Sequence, residues 1–121
     1  MSKYQYTYKD EVIDAQPNFG YYVRTGNLFF MVRLHEKGAP SRVINITEDY
    51  DLKLPFLYGL IGEGYRRASI NFLIKYNLGA PTGEVIRIED GDFMIFKFNE
   101  NTLKEMNEKM FTTYKDNFFK K

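Results

Sequence analysis

The sequence predicts an α+β fold: an antiparallel sheet of five to six strands, a central helix and an amphipathic C-terminal helix. Three observations predict it. Several short runs place apolar residues on one face with period two, as strands require. Two longer segments space them by threes and fours, as helices require. The strand-like runs are joined mostly by short loops, which favours antiparallel pairing over crossovers.

Lys3 to Lys9 alternates Tyr4, Tyr6 and Tyr8 with polar residues and reads as an edge or outer strand. Asp10 to Asn18 carries acids and Pro17 and reads as a connection. Phe19 to Arg24 is a second short strand, and Thr25-Gly26-Asn27 the turn after it. Leu28 to Glu36 is the strongest strand, with Leu28, Phe30, Val32 and Leu34 on one face. Its other face carries Phe29, Met31, Arg33 and His35. Arg42 to Thr47 follows as a fourth strand.

The central helix is expected over Leu54 to Gly79, with Leu57, Leu60, Ile61, Gly64, Ala68 and Phe72 along one side. Pro55 suits its first turn, and Gly79 followed by Pro81 its stop. Glu84–Ile88 and Phe93–Phe98 then form a hairpin about Asp90-Gly91, the residue pair a type I′ turn favours. From Glu100 to Phe119, Leu103, Met106, Met110, Tyr114 and Phe118 step by three and four along one helical stripe. Thr102 with Glu105 matches a capping box, with Asn99 or Asn101 as alternative caps.

A chain of 121 residues fits one domain spanning residues 1–121 and buries roughly two thirds of its unfolded surface. With a formal charge of +1 there is no global field to draw it to nucleic acid or acidic membrane. It has no cysteine and a single histidine, His35, so a structural zinc site lacks ligands. No apolar run approaches the ~20 residues of a membrane span, and the N-terminal stretch reads as neither secretory signal nor transit peptide. The expectation is a cytoplasmic protein with no membrane segment. Abundant Lys, Asn, Ile, Tyr and Phe match AT-rich coding sequence, as in a low-GC bacterium or one of its phages or plasmids.

No catalytic constellation stands out, and no cofactor is expected. Gly59, Gly62 and Gly64 followed by Arg66-Arg67 have the parts of a phosphate cradle, yet they match neither the dinucleotide nor the P-loop fingerprint. Close packing of the helix on the sheet is the other explanation of those glycines. Arg66-Arg67-Ala68-Ser69 also spells a basophilic kinase site, attributed to chance within a structured segment.

Arg24, Arg33, Arg42, Arg87 and Lys97 place one cation on each of five expected strands. If the faces coincide, Phe29, Arg33, Arg87, Phe93 and Lys97 share a basic-aromatic side able to hold a partner by stacking and charge. Local pairing with acids is the alternative. The expected function is a small non-enzymatic binding or regulatory protein of a bacterium or phage that occupies a protein partner, or single-stranded nucleic acid. The competing expectations are a pocket for an anionic small molecule such as a nucleotide, near Arg66 and Arg67, and a small enzyme without a recognised motif. The apolar content of the sheet also leaves room for a homodimer.

Overall fold

The computed structural model describes residues 4–89 and 91–120. Strands β1 (Tyr4–Tyr8), β2 (Glu11–Tyr21), β3 (Leu28–His35), β4 (Arg42–Asn45) and β5 (Tyr58–Ile61) precede helix α1 (Arg66–Lys75). Strands β6 (Gly79–Ile88) and β7 (Gly91–Phe98) follow, then helices α2 (Glu100–Met106) and α3 (Glu108–Phe118). The fold is α+β, but its strands form two antiparallel sheets where one was expected. Their orders are β1-β2-β3-β4 and β5-β7-β6. Among the described residues one isolated bridge, between Glu48 and Leu60, links the segment after β4 to β5. Helix α1 touches both β1 and β6, the outer strands of the two sheets, and so spans the side that the bridge leaves open.

β2 is eleven residues long and absorbs the expected connection. Ile13, Ala15, Pro17 and Phe19 all point inward at alternate positions. Pro17 is tolerated because it lies past Ala15, the last β2 residue that β1 pairs. Lys9 and Asp10 make the tight turn before it, both at positive φ (50° and 64°). Lys3, where the first strand was expected to start, lies outside the described residues. β3 follows its expected pattern, with Leu28, Phe30, Val32 and Leu34 buried against the core.

The central helix is the main correction. Leu54 to Gly64 is not helical: Tyr58–Ile61 is a strand, and the helix begins only at Arg66. The apolar residues there are contiguous because the strand is covered on both sides. Ile61 joins the main core, while Leu60 joins a second cluster with Leu54, Phe93 and Ile95. Gly59 is needed where β5 crosses its neighbours, since a Cβ there would sit 2.9 Å from Thr47 Cγ2 and 3.1 Å from Phe98 Cε1. Tyr65, with φ at 57°, sets the point at which the helix starts. Gly79 is the first residue of β6 rather than a helix stop.

The hairpin of β6 and β7 forms as expected, and its last pair is Ile88 with Gly91. Gly91 therefore opens β7, at φ 138°, instead of filling the turn. Asp90 lies outside the described residues. The single C-terminal helix divides at Asn107. Asn99 accepts from Thr102 N at 3.2 Å and caps α2, so the Thr102–Glu105 capping box is not the cap used. Asn107 accepts from Met110 N at 3.0 Å and caps α3. Leu103, Phe111 and Tyr114 are buried, while Met106, Met110 and Phe118 line the rim of the core. That core draws on both sheets and all three helices, with the Phe30 and Phe98 rings stacked 5.1 Å apart at its centre.

Candidate functional site

The expected basic-aromatic side does not assemble. Alternate residues of a strand leave opposite faces. Along β7, Asp92, Met94, Phe96 and Phe98 share one face, and Phe93, Ile95 and Lys97 the other. Arg87 lies directly opposite Asp92, so it emerges on the side away from Phe93 and Lys97. Phe93 is buried in the second cluster, 4.9 Å from the Tyr50 ring, and Lys97 is exposed. Phe29 and Arg33 belong to the other sheet, on its outer face with Met31 and His35. Two causes combine: the strands split into two sheets, and within the second sheet the β6–β7 register sets Arg87 opposite Asp92 rather than Phe93.

Three of the five strand cations pair with acids instead. Arg87 Nε lies 2.9 Å from Asp92, Arg24 Nη2 2.7 Å from Asp51, and Arg42 Nε 2.9 Å from Glu36. The hydrogen bond from Arg87 holds the Asp92 carboxyl below the usual carboxylate range. Among the described residues Arg33 donates one long bond, 3.4 Å to Ser41 Oγ. Beside it a cleft of about 390 Å³ runs between the outer face of the first sheet and the α2–α3 junction. Its amides are partly engaged: Asn18 Oδ1 accepts from Phe19 N, and Asn107 Oδ1 caps α3.

Arg66 and Arg67 do come together, with partners the sequence did not single out. They line a cleft of about 540 Å³ between the β1–β2 turn and the start of α1, with Tyr8, Lys9, Asp10, Glu63 and Tyr65. The Tyr8 and Tyr65 rings lie 5.0 Å apart at 56°. Lys9 Nζ stands 5.3 Å from the Tyr8 ring centre, a cation–π distance. The first turn of α1 holds no acid and no side-chain cap, so the helix dipole is not offset from within the helix, but Glu63 and Asp10 line the same cleft.

The two arginines have different work. Arg66 donates from Nε to Gly62 O at 3.1 Å and from Nη2 to Asp92 O at 2.5 Å, with a longer bond to Ile61 O. Pairing of β5 with β7 ends at Ile61 and Met94, so Arg66 satisfies a β7 carbonyl beyond the reach of that strand. Arg67 is exposed and has no hydrogen-bond or ion-pair partner among the described residues. No family model matches this chain, and no curated protein or solved structure matches it significantly.

A signal for the missing members was present in the sequence. Lys9-Asp10 separates the Tyr4-Tyr6-Tyr8 alternation from that of Ile13 and Ala15, which marks a two-residue turn carrying Tyr8 and Lys9 at its edge. Tyr65 offered no such signal, because its role follows from where the helix begins. Other polar groups are spent on structure. Buried Asn27 donates to Asp49 at 3.0 Å and to Leu52 O at 2.8 Å, and accepts from Leu54 N. Ser69, in the kinase-like stretch, is 1% exposed and hydrogen-bonded to the Tyr6 hydroxyl at 3.0 Å. Among the described residues no group of three or more His, Cys, Asp or Glu is placed to hold a metal ion. No described helix is long and apolar enough to cross a membrane.

Proposed function

We propose that this protein is a small non-enzymatic binding protein whose cleft beside α1 takes an anionic, ring-bearing small molecule of the nucleotide class. One observation carries the reading: the Tyr8–Tyr65 ring pair, the Lys9 ammonium and the unengaged Arg67 line the same cleft of about 540 Å³. Rings supply stacking surface and the cations supply charge-assisted hydrogen bonds to phosphate or carboxylate. The volume falls within the ~300–1,000 Å³ typical of small-molecule sites. Mass spectrometry of small molecules released from the purified protein, followed by titration calorimetry with nucleotides, tests it. Arg67→Ala and Tyr65→Ala should each weaken binding while the fold is kept. Unchanged affinity in both variants would remove the ligand from this cleft.

The second reading is a regulator that occupies a protein partner through the outer face of the first sheet. Exposed Val12 and Val43 lie there with Phe29, Met31 and Arg33. Its test is a pull-down compared between the native chain and Arg33→Glu. A partner retained equally by both would place the contact elsewhere.

A further inference from the structure

We infer that the cleft selects ligands carrying a single phosphate over di- and triphosphates, an inference that rests on the ligand assignment above and deepens it. The cleft holds little positive charge. Lys9, Arg66 and Arg67 face two acids, Asp10 and Glu63. Arg66 is already committed to the backbone carbonyls of Gly62 and Asp92. Lys9 and Arg67 remain, enough to meet the oxygens of one phosphate. A second or third phosphate brings charge that no further cation meets and that Asp10 and Glu63 repel. At low salt each added charge should weaken binding about threefold.

The ring pair sets where the base goes. A ring inserted between Tyr8 and Tyr65 needs them roughly 7 Å apart, and their centroids are 5.0 Å apart. The base therefore stacks on the open side of Tyr65, which is 41% exposed. Tyr65 is the residue that precedes Arg66 and Arg67. A base on Tyr65 thus sits in the cleft that Arg67 also lines, which lets the ligand's phosphate meet that guanidinium.

Calorimetric titration with AMP, ADP and ATP, and with the matching cytidine series, tests this at low salt in the presence of EDTA. The chelator keeps metal ions from neutralising the extra phosphates, and the second series separates base preference from phosphate dependence. The expected order is mono-, then di-, then triphosphate, with about threefold lost at each step. Glu63→Gln should narrow that gap, and Arg67→Ala should weaken binding of the monophosphates. Affinity that is equal across a series or rises with phosphate number overturns the single-phosphate inference and leaves the ligand site standing. Absence of binding by all six nucleotides overturns both.

Discussion

The Leu57 amide donates a 2.7 Å hydrogen bond to the phenol oxygen of Tyr114. This contact ties α3 to the backbone just before β5, at a residue whose φ is 73°. The Leu57 carbonyl accepts from Phe98 N at 2.8 Å, so one residue joins α3 to the second sheet. Tyr114 is fully buried and stacks on Phe56 with ring centres 5.1 Å apart. Burial pushes its phenol up to about 12.

Tyr114→Phe keeps the ring stack and removes the acceptor. A buried N–H without a partner costs ~1–3 kcal/mol, so the variant should unfold at lower urea. An unchanged midpoint would mean that the Leu57 amide finds another acceptor. The phenol also makes stability depend on pH. Its folded pKa lies above the unfolded value near 10, so the native state favours the neutral form. The contribution is fully present below pH 10 and is lost as pH rises towards about 12, at most ~3 kcal/mol. The Phe variant should lose stability less steeply over that window. Tyr6 and Tyr22, also raised by burial, supply the decline that remains.

The glycines divide by what surrounds them. A Cβ on Gly79 would fall 2.6 Å from Phe96 Cε2 and 2.9 Å from Phe98 Cα, atoms that cannot easily withdraw. Gly79→Ala should destabilise by ~2–4 kcal/mol, and Gly59→Ala by ~1–3 kcal/mol. At Gly64 an added methyl would meet no atom within 4 Å, and φ is not positive. Gly64→Ala should stay within ~0.5 kcal/mol of the parent. Thermal melts of the three variants check the ranking, and a large loss at Gly64 would contradict it.

These glycines also show how far the sequence could be read. β1, β3 and β4 announce themselves because each buries one face, and burial of one face writes a period of two. β7 is buried on both faces, and its hairpin is announced instead by Asp90-Gly91 in the sequence. β5 is buried on both faces, so Leu60 and Ile61 carry no alternation, and with Leu57 just before the strand their spacing imitates a helix. Pro17 hid half of β2 because its tolerance depends on where β1 stops pairing, a tertiary fact. The candidate site was half legible for the same reason. Arg66-Arg67 stands out in the chain, but Tyr8 and Lys9 reach it only because α1 packs beside β1.

The docking of α3 depends on Phe111 more than on Met110. Phe111 is 2% exposed, whereas Met110 lies at the rim beside Gly20. Phe111→Ala should cost ~3–5 kcal/mol, and Met110→Ala clearly less. Chemical denaturation of both variants checks this. Equal losses would place the helix one residue further round its axis than the burial pattern has it.

Arg66 and Arg67 are neighbours with separable effects. Arg66 is a structural donor to the carbonyls of Gly62 and Asp92, and removing it leaves acceptors that β5 cannot reach. Arg66→Ala should lower stability by ~1–3 kcal/mol. Lysine should recover little of this, because one ammonium cannot reproduce the fork of Nε and Nη2. Arg67 is exposed and unengaged, so Arg67→Ala should leave stability within ~0.5 kcal/mol while weakening nucleotide binding. Arg87→Ala is the control: it removes an exposed ion pair with Asp92, and solvent screening leaves such pairs with little influence on melting. Melting temperature and nucleotide affinity, measured on all three alanine variants, separate the roles. A stability loss in Arg67→Ala equal to that in Arg66→Ala would show that Arg67 belongs to the fold and not to the ligand site.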